Sequence, residues 1–105
     1  MSVPRFRDIE PRKKMDLDTL VNVFFRSEKY KEYAKIILEE LKEEPKTTTE
    51  ISKKHKIPYP SILRVFKQLY DLGLIDRSWG IYKLSRSFKY KLRALQEFWN
   101  DYTSE

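Results

Sequence analysis

One stretch of 38 residues, 47–84, constrains this chain more than any other: TTTEISKKHKIPYPSILRVFKQLYDLGLIDRSWGIYKL. Thr47-Thr48-Thr49-Glu50 fits a capping box, in which a Thr hydroxyl accepts from a helix amide and the Glu reaches back. The spacing predicts a short helix over 48–55 that buries Ile51. Lys56-Ile57-Pro58 then breaks it, with Ile57 tucked inward. Pro58 and Pro60 lead into a second helix over 59–72, because proline is tolerated in a first helical turn. That helix buries Ile62, Val65, Phe66 and Leu69, and Gly73 follows where a left-handed residue ends it. Leu74, Ile75, Ile81, Tyr82 and Leu84 supply a strand pair turning at Ser78-Trp79-Gly80. Helix, break, helix and β-ribbon in so few residues leave little choice of topology.

The flanks read as helices. Residues 1–15 carry Pro4, Pro11 and five basic residues (Arg5, Arg7, Arg12, Lys13, Lys14), the pattern of a flexible basic arm or a tail with no role. Asp16 is a cap for a helix burying Leu17, Leu20, Val21 and Phe24, although Val23 and Phe25 leave a strand open. Ser27 begins a clearer helix over 28–44, with a stripe of Tyr30, Tyr33, Ala34, Ile37, Leu38 and Leu41 and with Glu39, Glu40, Glu43 and Glu44 outside. Pro45 ends it. Ser85 is the expected cap of a last helix over 86–102. In it Phe88, Leu92, Leu95, Trp99 and Tyr102 recur at spacings of 4, 3, 4 and 3, an a/d seam that Phe98 widens. That seam suits either a second copy of the chain or packing on the helix over 28–44. The 105 residues are thus one domain, 16–105, behind a basic arm, 1–15.

Charge is uneven. Residues 45–93 hold twelve cationic and three anionic side chains, whereas residues 15–44 hold five and eight. A formal charge of +6 concentrated on one segment points to a polyanionic partner; the plainer reading is a solvated surface. Charged residues make up 36% and cysteine is absent, a composition resembling thermophile surfaces. Disulfide and thiolate chemistry are excluded. The start of the chain has no apolar core of a secretory signal and no run is long enough to span a bilayer, so the expectation is a cytoplasmic protein. His55 is the single histidine, and both glycines are used at a helix end and a turn. Neither a metal site, a cofactor site nor a nucleophile–base set can be assembled, so an enzyme is not expected.

Thr49-Glu50-Ile51, Ile57, Ser61-Ile62-Leu63-Arg64, Leu69, Leu72-Gly73-Leu74-Ile75 and Tyr82-Lys83-Leu84-Ser85 together resemble the winged helix-turn-helix regulators of prokaryotes and archaea, with the MarR, ArsR and PadR types nearest. The L-x-x-L-G-L-I junction is the most recognisable part, and the likeness spans about residues 27–102. It implies a mainly α fold with a small β-hairpin wing and extra terminal helices (α+β). It also implies a homodimeric DNA-binding transcriptional regulator. The chain departs from the pattern in its short wing, poor in basic residues, and in Pro58, where relatives often carry a Ser or Thr cap.

Under that resemblance the helix over 59–72 lies in the major groove of double-stranded DNA. Arg64 is the base-reading candidate because a guanidinium grips guanine O6 and N7 together, Ser61 serves base or phosphate, and Leu63 and Tyr59 suit a thymine methyl. Lys67 and Gln68, further along, suit phosphates. Lys53, Lys54 and Lys56 crowd a helix end where cations either cap carbonyls or anchor phosphate. Thr48 and Thr49 present amides at a helix start. Arg77 and Trp79 mark the wing tip; Trp79 either meets sugars or packs on the wing base. The seam Phe88, Leu92, Leu95, Phe98, Trp99 and Tyr102 is the candidate dimer interface. Two other readings stay open: an architectural DNA coater with little sequence preference, and a protein-interaction domain in a transcription or replication assembly.

Overall fold

The computed structural model describes residues 3–104. Its elements run α1 (Leu17–Phe24), α2 (Glu28–Glu43), α3 (Thr48–His55), α4 (Tyr59–Asp71), β1 (Ile75–Ser78), β2 (Ile81–Leu84) and α5 (Phe88–Thr103), preceded by a single 3-10 turn at Phe6–Asp8. The fold is the expected one, mainly helical with a small antiparallel hairpin.

Local chemistry sets most boundaries. Asp16 accepts from the Thr19 amide and Ser27 from the Tyr30 amide, so α1 and α2 each begin on a side-chain cap. Thr47 and Glu50 close the capping box at α3 from both sides. Gly73 takes φ +86 just past α4, which releases the chain into β1. Ile75 pairs with Leu84 and Ser78 with Ile81, leaving Trp79 and Gly80 as the two-residue turn. Both have positive φ, 53 for Trp79 and 77 for Gly80, as the right-handed strand twist demands of so tight a hairpin.

The core lies between α2, α3, α4 and the base of the hairpin. Ala34, Ile37, Ile51, Ile62, Phe66, Leu69 and Ile75 are buried there, and Ile57 plugs it at the turn between α3 and α4. Phe66 leans on Tyr82, ring centres 4.7 Å apart, which locks α4 to the wing. Lys46 adds a one-residue third strand by exchanging two backbone hydrogen bonds with Tyr82, 2.8 and 3.0 Å. This bridge has no signature in the sequence, since one extended residue carries no periodicity.

One expectation changes, one open alternative closes, and the first residues gain contacts. The last helix begins at Phe88 rather than 86, and its N-cap Ser87 makes no side-chain cap. Ser85 does not cap it, because it lies two residues before the N-cap position, where its amide donates to the Leu74 carbonyl at 2.9 Å at the end of the hairpin and its hydroxyl meets that of Ser87 at 3.3 Å. The open strand alternative at Val23 and Phe25 gives way to helix: both are buried, but Val23 lies inside α1 and Phe25 just beyond it. Part of the segment read as a flexible arm is laid on α1. The Arg5 amide donates to the Val23 carbonyl at 2.8 Å, its guanidinium donates to the Asn22 carbonyl at 2.8 Å, and Phe6 packs edge-on to Phe24. Met1, Ser2 and Glu105 lie outside the described residues.

Lys56 ends α3 at φ 55, a left-handed conformation that costs a side-chain-bearing residue about 1 kcal/mol and glycine almost nothing. Lys56→Gly is therefore expected to stabilise the fold by about 1 kcal/mol in urea unfolding. An unchanged or lowered midpoint would show that the left-handed turn is not strained.

Candidate nucleic-acid interface

The interface is built on α4. Ile62, Val65, Phe66 and Leu69 turn one face inward, so a 3.6-residue repeat turns Pro60, Arg64, Lys67 and Asp71 outward. Leu63 and Tyr59 border that face toward the wing and are exposed, at 41% and 45%. Tyr59 and Arg64 are supported from behind. The Tyr59 hydroxyl meets Thr48 Oγ1 at 3.3 Å, joining the first turns of α3 and α4. An Arg64 guanidinium nitrogen donates to the Tyr30 hydroxyl at 3.4 Å, so α2 steadies the side chain expected to read bases. Lys67 pairs with Asp71 at 3.4 Å, one turn on. A cleft between α2 and α4 is lined by Arg26, Tyr30, Arg64, Lys67 and Asp71, and adds Arg26 to the cations on this side.

Not every expected contact residue lies open. Gln68 donates from Nε2 to the Phe24 carbonyl at 2.8 Å, satisfying the C-terminal end of α1, and is only half-exposed. Expected as a phosphate contact from its place beside the outer face, it is turned toward the facing end of α1. Thr48 is buried, with its hydroxyl on Tyr59. Ser61 is half-buried, while Thr49, Lys53 and Lys56 are exposed. At the wing, the Arg77 guanidinium lies 5.9 Å from the centre of the Tyr82 ring. Trp79 is 98% exposed, so of its two readings, packing on the wing base is the one this geometry lacks.

The residue that sequence reading misplaced is Glu40. It was expected on the outer side of α2, yet it is 7% exposed and is the centre of a buried ionic cluster. Its carboxylate accepts from Lys46 Nζ, from Lys54 Nζ at 2.8 Å and from His55 Nε2 at 2.8 Å. These donors, Lys46 first, then Lys54 and His55, hold the Glu40 carboxyl at about 2, well below its ordinary 4.5. The same bond pushes the Lys46 ammonium up, against its desolvation. Lys54 and Lys46, counted from sequence as part of the basic block, thus face a carboxylate. A signal was available: Glu40 follows Ile37 by three and precedes Leu41 by one, which puts it on the flank of the buried stripe.

The apolar stripe of α5 is half-buried at its start, where Phe88 faces Leu17, Leu20, Leu38 and Leu84, and is uncovered beyond it. No residue of α5 is fully buried, and Leu92, Leu95, Phe98, Trp99 and Tyr102 are all exposed, so within one chain only Phe88 comes up against the end of α2. Among the described residues no group of His, Asp and Glu is placed to hold a metal, and no helix is long and apolar enough to cross a membrane.

Two helices joined at a buried Ile57, a hairpin wing docked on the second, and cationic side chains on its outer face define a winged-helix transcription regulator. Residues 29–94 match the model of the TrmB family, described as sugar-specific transcriptional regulators, and the chain belongs to this family. Comparison with curated proteins and with solved structures gives no match.

Because Glu40 ionises more readily folded than unfolded, its contribution is fully present above pH 4.5 and is lost as pH falls toward 2. Urea unfolding across that window should lose stability in the wild type and lose less in Glu40→Gln, while Glu40→Ala should cost ~3 kcal/mol near neutrality. Identical acid dependence in wild type and Glu40→Gln would remove the cluster from the account of stability.

Proposed function

We propose that this winged-helix regulator binds DNA sequence-specifically as a homodimer, with α4 seated in the major groove. The observation that carries the reading is the outer face of α4, where Tyr59, Leu63 and Arg64 stand exposed, Tyr59 backed by Thr48 of α3 and Arg64 by Tyr30 of α2. Two apolar side chains left in water beside a guanidinium suit a groove wall with thymine methyls and guanine acceptors better than they suit solvent. Lys53, Lys56 and Lys67, all exposed, flank that face as phosphate anchors that fix register. The stripe of α5 supplies the dimer contact, since an exposed apolar patch of this extent marks an interaction site. A two-fold pair of such domains would set two α4 helices about one DNA turn apart, ~34 Å, and would require a palindromic site.

The test is fluorescence anisotropy on a random-sequence DNA pool over a range of salt, with selection of the bound fraction. Enrichment of a palindrome is expected; salt-sensitive binding without enrichment would replace regulation with an architectural role.

Two variants separate reading from anchoring. Arg64→Ala is expected to cost about 1–3 kcal/mol on the selected site and to relax preference at one base. Equal weakening on cognate and random DNA would reassign Arg64 to the backbone. Lys53→Ala should weaken all sequences alike and lower the salt slope by about one; an unchanged slope would take Lys53 out of the contact set.

A further inference from the structure

We infer that two copies of this chain pair through antiparallel α5 helices, and that the aromatic end of each α5 fills an apolar cleft at the base of the other. The inference rests on the proposed homodimer and gives it an orientation and a second contact.

The cleft is a wedge of about 810 Å³ where α5 leaves the body. Leu17 and Leu20 of α1, Leu38 of α2 and Leu84 of β2 form one wall, and Phe88 at the start of α5 forms the other. A second cleft continues it along the end of α2 to Leu92. The stripe of α5 therefore starts inside the wedge and runs out into solvent. Its far end carries the largest apolar side chains: Phe98, Trp99 and Tyr102, more than half exposed and mutually stacked, with ring centres 5.5 and 5.8 Å from Tyr102. The chain thus presents both an unfilled leucine wedge and an unburied aromatic plug, too far apart on one helix to meet each other.

Helix direction follows from charge. The first half of α5 and the residues before it carry Arg86, Lys89, Lys91 and Arg93, and the second half carries Glu97 and Asp101. A parallel pair would stack like charges on like charges, whereas an antiparallel pair crosses them and opposes the helix dipoles. Seam packing fixes the register: with a two-fold axis between Arg93 and Ala94, Phe88 meets the partner's Trp99 and Leu92 meets the partner's Leu95. Arg86 is then level with the partner's Asp101, and Lys91 is within one turn of the partner's Glu97. Tyr102 passes beyond the helix pair to the level of the partner's Ser85, which lines the wedge. Its ring enters the leucines while its hydroxyl meets the polar rim, where Lys42 stands. The extra contact answers a shortage of area. A stable interface buries about 800 Å² on each partner, more than a bare two-heptad pair offers, and aromatic side chains add about 150–250 Å² each.

The cysteine-free chain makes the test clean. Ser85→Cys and Tyr102→Cys proteins are mixed in equal amounts under mild oxidation, after sedimentation has established the state of the wild type. A disulfide joining one Ser85→Cys chain to one Tyr102→Cys chain is expected, with little Tyr102→Cys homodimer. Asn100→Cys, which leaves the stripe intact, repeats the test, since a symmetric crosslink there belongs only to a parallel pair. Symmetric crosslinking at 100 or 102 would overturn the antiparallel arrangement and leave the homodimer standing. A wild type that sediments as monomer would overturn both, and a dimer that survives Leu95→Glu would move the contact away from α5.

Discussion

Glu40 is the tie on which the helix-turn-helix half of the molecule hangs. A single buried carboxylate joins α2, the bridging residue Lys46 and the end of α3 through Lys54 and His55. Removing the carboxylate would leave the buried Lys46 ammonium only the exposed Glu43 carboxylate, 3.5 Å away, and would free the end of α3 to move. Because Lys46 also exchanges backbone hydrogen bonds with Tyr82, and Tyr82 packs on Phe66, the same tie reaches the wing and α4. The position of the helix-turn-helix against its scaffold is therefore fixed as much by ionic and hydrogen-bonded contacts as by apolar packing.

That arrangement changes how the basic segment is to be weighed. Formal charge counts Lys46, Lys54 and Lys67 alike, but Lys46 and Lys54 face Glu40 and Lys67 faces Asp71. Lys53 and Lys56 are exposed cations outside these pairs, joined by Arg64 on α4 and by Arg26 across the cleft. The field over this face is set by fewer charges than the sequence suggests, and they sit on elements that the core holds rigid.

How far the fold was legible depended on whether a residue's role was local. The capping box at Thr47–Glu50, the left-handed Gly73 and the inward stripe of α4 are each decided within a few residues, and each stands where spacing puts it. The failures involve partners distant in sequence. Gln68 finds an acceptor at Phe24, Ser85 donates its amide to Leu74, and Arg5 reaches Asn22 and Val23. No window around any of these residues contains its partner. Glu40 was partly visible through its helical phase, but the lysines and histidine that make its burial tolerable come from the next two elements. The strained conformations of Lys56 and Trp79 were likewise unreadable, since both positions look ordinary in composition.

Gln68 and Arg64 hold α4 from the same side at two points one turn apart, to the Phe24 carbonyl and the Tyr30 hydroxyl, while Phe66 grips the wing on the other. A rod pinned on both sides has little freedom to roll about its own axis. A duplex meeting this surface would have to supply the accommodation itself, by bending or by opening its groove. Sequences that deform easily would then be favoured even at base pairs no side chain touches.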